Sequence, residues 1–260
     1  MERQLREKPA DRSRKEEAAQ QLVYDAMGAG SLEEERQMLA LALELDPENI
    51  DALLMSLHRK NLRPDAEVEE LRRLVARAEK RLGDKFATYE GSFWGFTETR
   101  PYMRVRQSLA DALFQGQRFD EAVVEWEAML KLNPSDNQGI RYRLLAVYLL
   151  LSRPDDAEIL FQRYDECEWS AAFAWSRVLQ RWLLKDEKGA SKALAAARKQ
   201  NGFVEAYLRG HRAPPRKTPA GYAPGSREEA AVFAEDLLPA WRAHPQAQSW
   251  LAQQPKPDRH

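Results

Sequence analysis

Three alanines set the length scale of this chain. Ala122, Ala157 and Ala190 follow one another at steps of 35 and 33 residues, and each sits in a similar stretch of sequence. The clearest copy runs from Phe119 to Pro134. In it Ala122, Trp126 and Met129 fall at helical spacing on one face, and Asn133-Pro134 ends the pattern because proline cannot continue a helix. Ala157, Phe161 and Tyr164, and then Ala190, Leu194 and Ala197, restate the stripe. A helix pair of this size cannot bury its apolar face alone, so neighbouring pairs stack into a continuous core. An all-α array is the fold class this predicts.

The punctuation places the other helices. Ala18, Leu22, Tyr24 and Ala26 fit a helix that stops at Gly28-Ala29-Gly30, and Ser31 with Glu34 reads as a capping box opening the next. That second helix carries Leu32, Leu39, Ala42, Leu43 and Leu45 and ends at Asp46-Pro47. Ile50 to Lys60 and Asp65 to Leu82 form a further pair, closed by Gly83. Pro101, capped by Thr99 or Arg100, opens a helix through Tyr102, Val105, Leu109 and Leu113 that partners the Phe119 helix. Gln138 to Leu151 pairs with Asp155 to Tyr164, and Ala171 to Leu184 with Gly189 to Gln200. After a Pro-rich stretch, Ser226 to Trp241 is expected to seal the exposed end of the stack. Phe86 to Arg100 breaks the register, and its Tyr89, Phe93, Trp94 and Phe96 need cover. The predicted organisation is a polar tail over 1–14, one repeat domain over 15–253 with an insertion near 86–100 and capping helices over 226–253, and a polar tail over 254–260.

Composition narrows the function classes. Lys and Arg number 40 against 41 Asp and Glu, so no global field favours nucleic acid or an anionic membrane. No apolar run approaches the ~20 residues of a membrane helix, and residues 1–20 lack the apolar core of a secretory signal. The expected location is the cytoplasm. The single cysteine, Cys167, cannot form an internal disulfide, and with the four histidines scattered no zinc spacing exists. No phosphate loop, nucleophile elbow or His-Glu-x-x-His helix is present. Neither catalysis nor a cofactor nor a metal is expected.

Aligned on its closing proline, the first hairpin places Gly30, Leu32, Leu39, Ala42 and Pro47 where the signature residues of the tetratricopeptide repeat (TPR) family fall. Glu35 stands where a small alanine is usual, and Ala19 and Val23 replace the aromatic and glycine of the first helix. Residues 93–104 and 133–142 also resemble segments of bacterial TPR proteins. The resemblance implies a right-handed superhelical solenoid of antiparallel helix hairpins whose first helices line a concave groove. It would set Arg104, Gln107, Ser108 and Asp111 on one row, Tyr142, Arg143 and Ala146 on the next, and Trp175, Ser176, Leu179 and Trp182 on a third. Where chaperone-binding members grip a terminal carboxylate, this chain has Gln107, Asp111, Tyr142 and Ala146, a departure that argues against such a clamp.

The resemblance therefore implies a scaffold or adaptor that binds a protein or peptide, with arginine forks taking carboxylates of an acidic segment and rings taking apolar anchors. The candidate binding residues are Arg100, Arg104, Gln107, Arg141, Tyr142, Arg143, Trp175 and Trp182. An alternative is a binder of single-stranded RNA using Arg104, Arg143 and stacking on Tyr142, Trp175 or Trp182. Both tryptophans equally suit packing between hairpins, and Arg141 or Arg143 could pair with Asp155 or Asp156. Glu98, with Arg100, Arg104 or Arg141, could form a buried brace or, with Tyr102, Asn137 and Gln138, a recognition surface.

Overall fold

The computed structural model describes residues 9–219 and 221–255. Over these residues the chain forms fourteen α-helices and two single 3-10 turns, with no strand. No described helix is long and apolar enough to cross a membrane. The helices gather into two compact units that divide after Asn137.

The first unit holds α1 (Pro9–Met27), α2 (Leu32–Leu45), α3 (Ile50–His58), α4 (Pro64–Leu82), α5 (Lys85–Tyr89), α6 (Arg100–Gln115) and α7 (Phe119–Leu132). Residues 9–14, expected as tail, are instead the first turns of α1, while residues 1–8 lie outside the described residues. The helix extends outward from Ala19, Val23 and Ala26, which are buried, through residues that are good helix formers. Ser31 Oγ accepts from the Glu34 amide at 3.2 Å, and the Glu34 carboxylate reaches back to the Gly30 amide at 2.9 Å. The capping box thus closes one residue before its usual target. Asn49 caps α3 through the Ala52 amide, and Gly83, at φ +52°, stops α4. Thr99 does not cap α6: its hydroxyl turns back to the carbonyls of Phe93 and Phe96.

Three pairs, α1 with α2, α3 with α4 and α6 with α7, pack side by side. Each second helix also touches the first helix of the next pair, α2 on α3 and α4 on α6. The first helices meet in sequence, α1 on α3 and α3 on α6. Ala122 and Trp126 are fully buried within this stack. The aromatic insertion finds its cover here. Phe93 is buried edge-on against Phe86 and Tyr102, with ring centroids 5.0 and 5.8 Å apart, an arrangement aromatic quadrupoles favour. Phe96 remains exposed and stacks on Tyr89 at 3.9 Å.

The second unit holds α8 (Ile140–Leu150), α9 (Pro154–Tyr164), α10 (Ala171–Leu183), α11 (Glu187–Asn201), α12 (Val204–Leu208), α13 (Arg227–Ala243) and α14 (Pro245–Gln253). Gly139 stands at the N-cap of α8 with φ +71°, so backbone conformation, rather than the close helix approach its size suggests, is what requires glycine there. Pairs recur as α8 with α9 and α10 with α11, and Ala157 and Ala190 are fully buried. The position of α13 departs from expectation. It packs along α8 and α10 as well as α12, with Ala230, Ala234, Leu237 and Trp241 buried, instead of only closing the last pair. Small alanines allow the close approach, and the Pro-rich return before Ser226 carries the chain back to it. Leu251 of α14 is buried as well.

Candidate functional site

In the first unit the expected groove row exists as part of a cleft. Arg104, Gln107, Ser108 and Asp111 of α6 line a hollow of ≈ 270 Å³ together with Asp51, Leu54, Met55 and His58 of α3 and Met27 at the end of α1. Helical spacing puts the four α6 residues on one face, and the α3–α6 contact turns that face toward α3. The wall is part apolar: Met27 is 51% exposed, and Met55 is half-buried.

Arg104 does not offer its fork to this hollow. Its Nε donates to Asp51 Oδ1 at 2.7 Å and its Nη2 donates to Asp51 Oδ2. Asp51 is 1% exposed and accepts a third bond from Gln20 Nε2 at 2.9 Å, and Gln20 in turn accepts from Asn49 Nδ2 at 3.2 Å. Burial works against the Arg104 charge, but the hydrogen bond and charge of Asp51 outweigh it and raise the guanidinium pKa. The fork is thus part of the unit's interior. Asp51 is the partner that sequence reasoning missed, although an acid inside the apolar run Ile50-Asp51-Ala52-Leu53-Leu54 was a signal for it. A second cleft of ≈ 510 Å³ lies beside it, between Gln20, Tyr24 and Asn49 on one side and Arg81, Lys85, Glu98 and Tyr102 on the other.

Arg100, at the start of α6, lies over the Trp94 ring at 5.5 Å and donates from Nε to the Trp94 carbonyl at 3.0 Å. It holds the aromatic insertion against the helix. Glu98, expected to pair with an arginine, instead accepts from Tyr89 at 3.3 Å and lies 3.7 Å from Lys85 Nζ.

In the second unit the candidate residues are drawn into the fold. Arg141 Nε donates to Glu166 Oε1 at 2.7 Å, the Tyr142 hydroxyl donates to Glu166 Oε2 at 2.7 Å, and Arg141 Nη2 donates to the Tyr142 oxygen at 2.9 Å. The Arg141 guanidinium lies 4.4 Å from the Tyr142 ring centre and 5.3 Å from that of Tyr164. Burial, and then the bond to Glu166, pushes the Tyr142 phenol well above its usual range. Asp155 and Asp156 are therefore not the partners of Arg141, and Asp156 accepts from Arg153.

Tyr142 also meets α13, its ring 5.8 Å from Phe233. Arg143 acts on Asp236 of α13: burial raises that carboxyl, and the Arg143 charge pulls it part of the way back. Trp175 is fully buried and donates from Nε1 to the Asn201 carbonyl at 2.9 Å. The Asn201 amide continues the chain to the Ser226 carbonyl and the Glu229 carboxylate, both at 2.8 Å. Trp182 alone of the two tryptophans reaches the surface, half-buried beside Lys185 and lining a hollow of ≈ 460 Å³ with His244 and Pro245. His244 Nε2 donates to the Leu149 carbonyl at 2.7 Å, which fixes the proton on that nitrogen.

Among the described residues no three His, Cys, Asp or Glu side chains gather as metal ligands would. Cys167 is half-buried, and burial raises its thiol pKa despite the nearby Arg177. Neither the family models nor the curated proteins with which the chain was compared match it.

Proposed function

We propose that the protein is a helical-repeat interaction module that binds another protein through the cleft between α3 and α6. One observation carries the reading. Gln107 and Ser108, placed on a groove row by repeat register alone, line the same hollow as Leu54, Met55 and Met27, where a mixed apolar and polar wall suits a protein segment. The stacking of α1, α3 and α6 as successive first helices supports a TPR-like solenoid within the unit. A protein of this kind works by binding, and no catalytic step is assigned to it.

The mode of binding differs from arginine forks gripping an acidic tail. Arg104 and Arg141 already hold Asp51 and Glu166, and Arg100 is engaged by Trp94. The RNA reading is less favoured for a related reason: Trp175 is fully buried and Tyr142 is packed against Phe173 and Phe233, so neither presents a free face for a base.

The test is a photo-crosslinker, benzoylphenylalanine, placed at Gln107 of the whole chain and activated in the native cell. A protein adduct at position 107 that is absent when the probe sits at the exposed Val124 is expected. Adducts to nucleic acid alone, or equal labelling from both positions, would overturn the proposal.

A further inference from the structure

The register that aligns Ala122 with Ala157 and Ala190 also aligns Gln107 with Tyr142 and Trp175, and Ser108 with Arg143 and Ser176. In the second unit the helices carrying these positions are covered by a segment of the chain itself. Helices α8 and α10 both pack against α13, Phe233 is the aromatic anchor beside Tyr142, and Asp236 is the acid facing Arg143. The second unit therefore displays, in one molecule, what such a surface takes: an amphipathic helix with a charge opposite to that of the repeat position it meets.

In the first unit the equivalent positions line the open cleft, and the charge has changed. Ser108 stands where Arg143 stands in the next repeat, and Asp111 where Ala146 stands. Of the charged groups on that wall, Asp51 and Asp111 are acidic, and Arg104, the one arginine, is paired with Asp51. The wall is net acidic where its counterpart is basic. We infer that this cleft seats an amphipathic helix of a partner protein that presents Lys or Arg toward Ser108 and Asp111, with its apolar anchors on Leu54, Met55 and Met27. Methionines suit such a seat because unbranched side chains repack around different anchors. The inference rests on the binding reading above and adds the form and charge of the ligand.

The probe is a labelled peptide of residues 226–243 of this chain carrying E235K and D236K, compared with the unaltered peptide by fluorescence anisotropy against the whole protein. The lysine peptide is expected to bind at least ten-fold more tightly than the unaltered one. Ser108→Arg, which restores the arginine of the next repeat, is expected to reverse that order, and Met55→Lys to abolish binding of the lysine peptide. Circular dichroism melts confirm that each variant is folded. No binding of the lysine peptide, or a preference that Ser108→Arg leaves unmoved, overturns the inference. A protein adduct from position 107 without lysine-peptide binding leaves the interaction module standing and removes only its helical, basic ligand, whereas loss of both removes the module as well.

Discussion

Replacing Arg104 should cost stability rather than binding alone. In Arg104→Leu the Asp51 carboxylate, 1% exposed, loses two of the three side-chain hydrogen bonds described above and keeps the one from Gln20. Breaking a buried pair by removing one partner costs about 3–5 kcal/mol, because the remaining charge is stranded out of water. The Arg104 side chain is 25% exposed, so water entering through the cleft partly hydrates Asp51, and the lower end, about 3 kcal/mol, is the expected value. At about 2–4 °C per kcal/mol for a chain of this size, Tm should fall by roughly 6–12 °C. Urea unfolding followed by circular dichroism measures the loss, and the double variant Asp51→Leu/Arg104→Leu gives the control. With both charges gone no carboxylate is stranded, so the double variant should recover to within about 1 kcal/mol of the parent. An Arg104→Leu protein that melts with the parent, or a double variant worse than either single one, would refute this account of the pair.

Other outcomes follow from single features. Trp126→Ala, in the fully buried stripe of α7, should cost about 3–5 kcal/mol in urea unfolding. Trp126→Phe should cost much less, because the indole Nε1 has no hydrogen-bond partner among the described residues. Gly139→Ala forces a side chain into φ +71° and should lower stability by about 1–2 kcal/mol, read from the same unfolding curves. Asp236 has a raised carboxyl pKa in the folded chain, so the folded state holds its proton to higher pH than the unfolded state. Its penalty is absent below the ordinary carboxylate pKa of about 4 and grows as pH rises through the raised value, so Asp236→Asn should gain stability over the parent at pH 7 and lose that advantage near pH 3.

The helices were legible in the sequence wherever their ends carry chemistry. Ser31, Pro64, Gly83, Ser226 and the prolines after Asp46 and Asn133 act within a turn of where they stand, so local sequence suffices to place them. The period of Ala122, Ala157 and Ala190 located buried positions because packing repeats with the hairpin. What was not legible depends on distance. Arg104 finds Asp51 on a helix 53 residues away, and an arginine on a polar row gives no sign of which acid will hold it. The amphipathic pattern of α13 shows that it has a face to bury, not which helices will receive that face. The early start of α1 was missed because its first turns are charged and gain their order from Ala19, Val23 and Ala26 farther along.

The seating of α13 also dictates an order of events during synthesis. Tyr142, near the start of the second unit, cannot complete its contact until Phe233 has been made. At about 5–20 residues per second, the intervening chain takes roughly 5–20 s to emerge. Over that interval the surfaces of α8 and α10 that α13 will cover are without it, which opens a window for a chaperone or for pairing with a neighbouring nascent chain. A unit built this way cannot grow or be trimmed one hairpin at a time from its C-terminal side, because the last long helix to be made touches the first.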